Sequence, residues 1–256
     1  RTPQLINPIF AAAGRDIYAV PFHVTAAAFP PVWNAFTALS NLAGIGVTVP
    51  HKVAAARRCV TLTPTALAVG AVNTVRRDDD GFMHGALFDG IGFLRGLGAA
   101  RARLDGARVL MVGAGGAGRA IAHALAEEGI AALGLVDRDP EAVRFTAGIA
   151  NRVLDREAAF AADPASGGDY DVIVNASPIG VKGLSPFPVP EAALRPGMLV
   201  ADIAALTGET ALLAAARRVG AATSDGNDML SAQIALIAGF VAGLPAGTPL
   251  RPAQPV

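Results

Sequence analysis

A chain of 256 residues is long enough for one large domain or two small ones, each able to bury its own core. Its 21 acidic and 21 basic side chains cancel, which leaves no electrostatic footprint for nucleic acid or an anionic membrane. The one cysteine, Cys59, excludes an internal disulfide framework, reads as inert packing, and fits a reducing, cytoplasmic setting. Two stretches lack Asp, Glu, Lys and Arg, 17–51 and 229–250, but prolines, asparagines, Gln233 and glycines interrupt them, so both read as buried structure and not as membrane spans.

In chain order, apolar runs alternate with helical patterns, which predicts α/β architecture with a mainly parallel sheet. Residues 17–20 read as a strand, 31–42 as a helix holding Trp33 in the core, 46–49 as a second strand and 53–60 as a helix. Residues 71–76 and 82–87 flank the polar run Asp78-Asp79-Asp80-Gly81 and read as a hairpin with a solvated turn. Asp89 opens a helix whose apolar face carries Ile91, Phe93, Leu94 and Leu97, and 96–106 reads as a linker. Strands at 109–112, 132–136, 172–174 and 198–203, each followed by a helix or loop, predict a doubly wound fold. A final helix over 228–241 is expected to return to the first domain.

The segment Gly113-Ala-Gly115-Gly116-Ala117-Gly118 passes from strand 109–112 into a helix over 119–128, with Gly113, Gly115 and Gly118 in G-x-G-x-x-G spacing. The first Gly permits the turn, the second admits a pyrophosphate to the backbone, and the third lets helix and strand pack closely. The free N–H groups of the helix then face the anion. The next strand ends in Asp137, where a carboxylate accepts both ribose hydroxyls and repels a 2′-phosphate, so NAD is expected over NADP. Arg138 beside it softens that preference, NADP use stays possible, and Asp137 also reads as a cap of the following helix.

Lysine occurs at positions 52 and 182 only, while arginine fills the other nineteen basic positions. Proton transfer suits a compact ammonium and not a guanidinium that never deprotonates, which singles out Lys52. It follows Val47-Thr48-Val49-Pro50-His51, a β-branched run stopped by proline, so it is expected at a strand-to-helix turn. His51 reads as structural or solvent-facing. His23, His84 and His123 have no partner at ligand spacing, and no metal site is expected.

Val47-Thr-Val-Pro-His-Lys52, Gly70-Ala-Val-Asn-Thr74, Asp89, Asn175-Ala-Ser-Pro-Ile-Gly180 and the 229–233 run ending in Gln233, in this order, resemble the shikimate dehydrogenase family over nearly the whole chain. The resemblance implies an N-terminal α/β substrate domain over 1–98, joined by a helix over 228–243, and a Rossmann-type doubly wound parallel-sheet domain over 104–227. It implies an NAD(P)-dependent oxidoreductase moving hydride between a ring hydroxyl of shikimate, quinate or a related cyclic hydroxy acid and a nicotinamide, in a monomer or homodimer. Lys52 and Asp89 map onto the catalytic pair, Lys52 as acid/base and Asp89 holding it; Asp89 also reads as a plain helix cap. Thr2, Thr48, Asn73 and Gln233 map onto substrate contacts, although Asn73 also fits a local turn and Gln233 an interface. Asn175, Ser177, Pro178, Ile203, Gly226 and Met229 map onto the cofactor cleft, Ser177 on the adenine-ribose side and Gly226 and Met229 near the nicotinamide. Met229 fits plain core equally.

The departures concern specificity. The family usually has Asn at Gly46, Asn-Thr at Leu87-Phe88 and Tyr at Ala205, and only Thr2-Pro3 answers to its pair of N-terminal seryl contacts. Asp137, Asp139 and Ala142 replace the Asn, Thr and Arg of its 2′-phosphate clamp. Each buried polar partner lost costs a polyhydroxylated ring about 1–3 kcal/mol. The expectation is therefore a divergent, NAD-linked member; the alternatives are the housekeeping NADP-linked enzyme and a catalytically silent ligand-binding or regulatory homologue.

Overall fold

The computed structural model of the chain describes residues 2–180, 187–204 and 208–253; Lys182 and Ala205 lie outside them. The chain divides into two compact units, Arg1–Phe88 with Gln233–Val256, and Asp89–Ala232. Among the described residues no helix is long and apolar enough to cross a membrane.

The first unit opens with α1 (Thr2–Ala12), whose buried Ile6 and Phe10, four residues apart, share one face. The strand expected over 17–20 does not form. Ala19 has both backbone groups taken by the side-chain amide of Asn7, at 2.8 and 3.1 Å, and Tyr18 is 78% exposed. An apolar run becomes a strand only beside another edge, and this one has no ladder partner among the described residues.

Helix α2 (Phe29–Thr37) starts earlier and ends earlier than expected. Pro30 and Pro31 sit in its first turn, where a missing N–H costs nothing, and beyond Thr37 the exposed Leu39 offers no buried face to prolong it. Trp33 is buried against Phe29, with ring centroids 5.7 Å apart. The strand expected over 46–49 is instead β1 (Gly44–Gly46), because its antiparallel partner strand begins at Thr74, opposite Gly46. Helix α3 (Lys52–Ala56) is shorter than expected because the Val60 N–H leaves for the Met83 carbonyl at 2.8 Å, drawing the chain into β2 (Thr61–Leu62).

After α4 (Pro64–Val69), β3 (Thr74–Arg77) and β4 (Met83–Ala86) form the expected hairpin, with Thr74 opposite Ala86. Its turn is more than solvated: Asp78 accepts from the Phe82 N–H (2.7 Å) and from His84 Nε2 (2.8 Å), and the His84 contact, first among its influences, holds the carboxyl below its usual range. The sheet order is β1-β3-β4-β2.

The second unit begins with α5 (Asp89–Gly96), and the expected linker contains a 3-10 helix at Gly98–Arg103. There follow β5 (Arg108–Val112), α6 (Gly116–Glu127), β6 (Ala132–Val136), α7 (Pro140–Leu154), β7 (Ala159–Ala161), β8 (Val172–Asn175), β9 (Leu199–Asp202), α8 (Ala211–Arg218) and β10 (Ala222–Asp225). The division between the units falls inside α9 (Gly226–Val241), which the Asp225 carboxylate caps by accepting from the Asn227 and Asp228 N–H groups.

All strand pairs of this unit are parallel, in the order β10-β9-β8-β5-β6-β7. Both sheet faces are covered, so the strands are apolar throughout: Val109 and Met111 pack into one cluster while Leu110 and Val112 pack into the other. Strand order reverses between β5 and β8, and loops at the carboxyl ends of these two strands border the crevice where such sheets bind ligands.

Candidate active site

In the first unit, three backbone hydrogen bonds gather the segments singled out in sequence. The Val47 N–H donates to the Asn73 carbonyl (2.7 Å), the Val72 N–H to the Lys52 carbonyl (3.1 Å), and the His51 N–H to the Thr48 carbonyl (2.9 Å). Lys52 opens α3 and is 7% exposed, so a long cationic side chain is set among packed neighbours, an arrangement rare for lysine. His51 is structural. Its ring stacks on Phe29 at 4.6 Å and 10°, and its Nε2 meets the Val24 carbonyl at 2.8 Å, so that nitrogen carries the proton. Thr48 is exposed, and Thr2 begins α1 half-buried.

Asn73 and Gln233, 160 residues apart in sequence, meet: Asn73 Nδ2 donates to Gln233 Oε1 at 2.9 Å, and both are buried. Asn73 Oδ1 also accepts from the Thr74 hydroxyl and the Phe88 N–H, each at 3.1 Å. The side chain therefore fixes the chain at Phe88, immediately before Asp89, and keeps one amide hydrogen to offer. Phe88 is core, edge-on to Phe240 at 5.9 Å, which accounts for one apolar departure from the family pattern. Gly46 is exposed, with nothing within 4 Å of the position a Cβ would take.

In the second unit, Asp89 is 4% exposed at the start of α5. The glycine loop joins β5 to α6 through contacts that only glycine allows. Gly113 has φ +108, and a Cβ there would lie 2.6 Å from the Ala176 carbonyl; one on Gly118 would lie 2.1 Å from the Gly113 oxygen. The loop and the Asn175–Ser177 turn thus touch backbone to backbone. Gly115, at the N-cap of α6, is exposed and a methyl there would meet nothing within 4 Å; Gly116 and Ala117 follow in the first turn. Open N–H groups above a helix start are suited to an anion such as a pyrophosphate.

Asp137 ends β6 and closes on that loop: one oxygen accepts from the Ala114 N–H at 2.7 Å, the other from the Asp139 N–H at 3.0 Å. The cap of α7 is Asp139, which accepts from the Glu141 N–H at 2.9 Å, so the capping role expected of Asp137 belongs to its neighbour. Each Asp137 oxygen retains a lone pair for a ribose hydroxyl. Arg138 is exposed, and Ala142 is buried in α7.

Asn175 organises the second loop. Its Oδ1 accepts from the Ser177 N–H (3.2 Å) and hydroxyl (2.7 Å), and its Nδ2 donates to the Ile179 carbonyl (2.8 Å) and to Asp202 (2.9 Å). Pro178 is exposed beyond it, and the Ile203 N–H donates to the Asn175 carbonyl at 3.0 Å. Gly226 is buried at the start of α9, and Met229 is buried in the cluster with Phe93 and Leu94.

Asp202 does not stand out in the sequence. It is fully buried and accepts from Asn175, the Thr210 hydroxyl (2.7 Å) and the Ala204 N–H (3.1 Å), tying β8, β9 and α8 together. Burial pushes its carboxyl above the ordinary range, against those three hydrogen bonds and with a smaller push from Asp225. An aspartate at the end of a strand gives no local sign of such a role. Arg119 is equally inconspicuous, being one arginine among nineteen. Among the described residues no group of three or more His, Cys, Asp or Glu is placed to hold a metal ion.

Residues 1–75 match the family model described as the shikimate dehydrogenase substrate binding domain. Shikimate dehydrogenase (NADP(+)) of Rhodospirillum rubrum is 38% identical over 242 residues, 90% of this chain and 83% of the relative. Quinate dehydrogenase from Corynebacterium glutamicum, solved in complex with NAD, superposes with a TM-score of 0.82 at 31% identity, covering 95% of this chain and 89% of that one. Shikimate 5-dehydrogenase from Listeria monocytogenes, solved with shikimate and NAD, gives a TM-score of 0.82 at 28% identity, with coverage of 96% and 88%. With the glycine loop, the β5/β8 crevice and these similarities together, the chain belongs to the shikimate dehydrogenase family.

Proposed function

We infer that the chain is an NAD(P)-dependent dehydrogenase acting on a ring CH–OH group of shikimate, quinate or a related cyclic hydroxy acid, with NAD the favoured cofactor. The observation that carries the cofactor reading is Asp137, a carboxylate at the end of the strand after the glycine loop and hydrogen-bonded to that loop at Ala114. Negative charge at this point accepts ribose hydroxyls and repels a 2′-phosphate. The open approach to Gly115 supports a pyrophosphate there, and Asn175, Ser177, Pro178, Ile203, Arg138, Gly226 and Met229 complete the proposed cofactor side.

A nicotinamide bound there would take hydride from the alcohol carbon in oxidation or supply it to the ring carbonyl carbon in reduction. Lys52 Nζ takes the hydroxyl proton in the oxidising direction and returns it in the reducing one, with Asp89 as its orienting carboxylate. Thr2, Thr48, Asn73 and Gln233 hydrogen-bond the polar groups of the ring acid. Asn73 does so through its remaining amide hydrogen, since its oxygen already accepts two bonds within the protein.

The test is a matrix of cofactor against ring acid, read as nicotinamide absorbance, on the wild type and Asp137→Asn. Turnover with NAD, and a weaker preference for NAD in the variant, support the reading; no reduced cofactor with shikimate or quinate at any concentration sinks it. The NADP(+) in the name of the Rhodospirillum rubrum relative favours a second reading, the NADP-linked biosynthetic enzyme. That reading predicts strong NADP preference, indifferent to Asp137→Asn.

A further inference from the structure

Helix α6, which follows the glycine loop, carries a cation with no part in the nucleotide contacts proposed above. Ala114 is held at both backbone groups: its N–H by Asp137, and its carbonyl by Arg119 Nε at 3.2 Å. The Arg119 guanidinium lies over the Phe145 ring, 4.5 Å from its centroid, so it is fixed at one nitrogen and one face. Its two terminal nitrogens make no hydrogen bond or ion pair among the described residues. Burial draws the group below the usual arginine range while Asp139 and Asp137 oppose that shift, and an arginine in a protein remains charged. Of the cations that follow Asp137, Arg144 is engaged by Glu141, whereas Arg138 is exposed beside Asp137 and, among the described residues, is not fixed against the loop as Arg119 is.

The fork is thus held beside the loop, with two free donors, near the two carboxylates that mark the ribose end of the proposed site. Resting on the dinucleotide reading above, we propose that Arg119 is a specificity-determining residue that engages the 2′-phosphate of NADP and so keeps NADP acceptable to a site whose Asp137 favours NAD. A planar fork binds phosphate by paired, charge-assisted hydrogen bonds, and Arg119 keeps both terminal nitrogens for that purpose. Asp137 and Arg119 then act in opposition on one ligand group: the carboxylate discriminates against the phosphate and the guanidinium offsets it.

The test separates the adenosine end from turnover, using 2′,5′-ADP and 5′-AMP as probes in calorimetric titrations of wild type, Arg119→Gln and Arg119→Met. Glutamine keeps a donor for the Ala114 carbonyl without the charge, so it guards against loss of the loop. In Arg119→Gln the 2′,5′-ADP affinity should fall about tenfold or more, the loss of a charged hydrogen bond, while 5′-AMP stays within about twofold. Arg119→Met should show the same split. Equal losses for both probes would make Arg119 a mere brace of the loop and overturn the proposal, as would no change in either variant. Wild-type protein that binds 5′-AMP but not 2′,5′-ADP overturns it and leaves the NAD reading standing; failure to bind either probe sinks the dinucleotide reading itself.

Discussion

Gly115 and Gly118 stand three residues apart in one loop, yet the structure gives them opposite sensitivities. A methyl on Gly118 would sit 2.1 Å from the Gly113 oxygen and 3.0 Å from its carbon, both backbone atoms. The oxygen contact is more than 1 Å inside the ordinary 3.4 Å, and relief requires α6 to move off the loop. Overpacking of this kind costs about 3 kcal/mol, and the gain of Ala over Gly as a helix former offsets about 1 kcal/mol of it. The net of about 2 kcal/mol corresponds to a fall of about 4–8 °C in Tm at this chain size. At Gly115 the methyl meets nothing within 4 Å and φ is −73°, so the only cost is that of a poorer N-cap, at most about 1 kcal/mol. That methyl does, however, occupy the space through which a pyrophosphate reaches the helix N–H groups. Thermal denaturation without ligand and fluorescence titration with NADH should therefore dissociate the two variants. Gly118→Ala melts well below wild type, whereas Gly115→Ala melts within about 4 °C of it and binds NADH at least about tenfold more weakly. Wild-type NADH affinity in Gly115→Ala, or wild-type stability in Gly118→Ala, would refute the assignment of roles within the loop.

Lys52→Ala should lower kcat by about 10²–10⁴-fold with KM little changed, because the side chain is proposed to move a proton in the reaction; steady-state kinetics with a substrate from the activity matrix checks this, and a variant with wild-type kcat removes Lys52 from the mechanism. Burial pushes the Cys59 thiol up to about 11 from its ordinary 9.0, so its thiolate fraction at pH 8 is about a hundredfold lower than that of an unhindered cysteine. Iodoacetamide labelling followed by mass spectrometry should accordingly be slow in the native protein and fast in denaturant; equal rates would show the thiol is not held down. For Asp202 the folded-state pKa lies above the unfolded value of 3.8, so the native state binds the extra proton and Asp202 contributes less stability as pH rises through that window. The destabilisation caused by Asp202→Asn should thus be largest near pH 4 and shrink toward pH 7 in paired denaturant titrations; a difference that grows with pH contradicts the desolvation argument.

Local chemistry alone was enough for the features that local chemistry controls. The 109–112 strand, the spaced Gly113, Gly115 and Gly118 and the carboxylate at Asp137 are legible because steric freedom, helix-end donors and charge are properties of a few consecutive residues. Lys52 was singled out for another reason, its rarity among basic residues, and the turn before it placed it at a helix start, where it stands. Elements whose existence depends on a distant partner were not. The 17–20 run has strand composition but finds Asn7 in place of a ladder, while the short strands at Ala159–Ala161 and Ala222–Asp225 have little pattern of their own and exist because a sheet edge receives them.

The same division runs through the site. Composition and spacing determined the α/β class, the glycine loop and the family resemblance, since each rests on residue type and order. Only the tertiary structure decided that Asn73 spends its oxygen on Thr74 and Phe88 and its amide on Gln233, that Asp139 and not Asp137 caps α7, and that Asp202 and Arg119 stand behind the two loops. Hydrogen bonds and burial join groups that are far apart along the chain, and which of the available donors reaches which acceptor is set by packing, a quantity that no stretch of sequence contains.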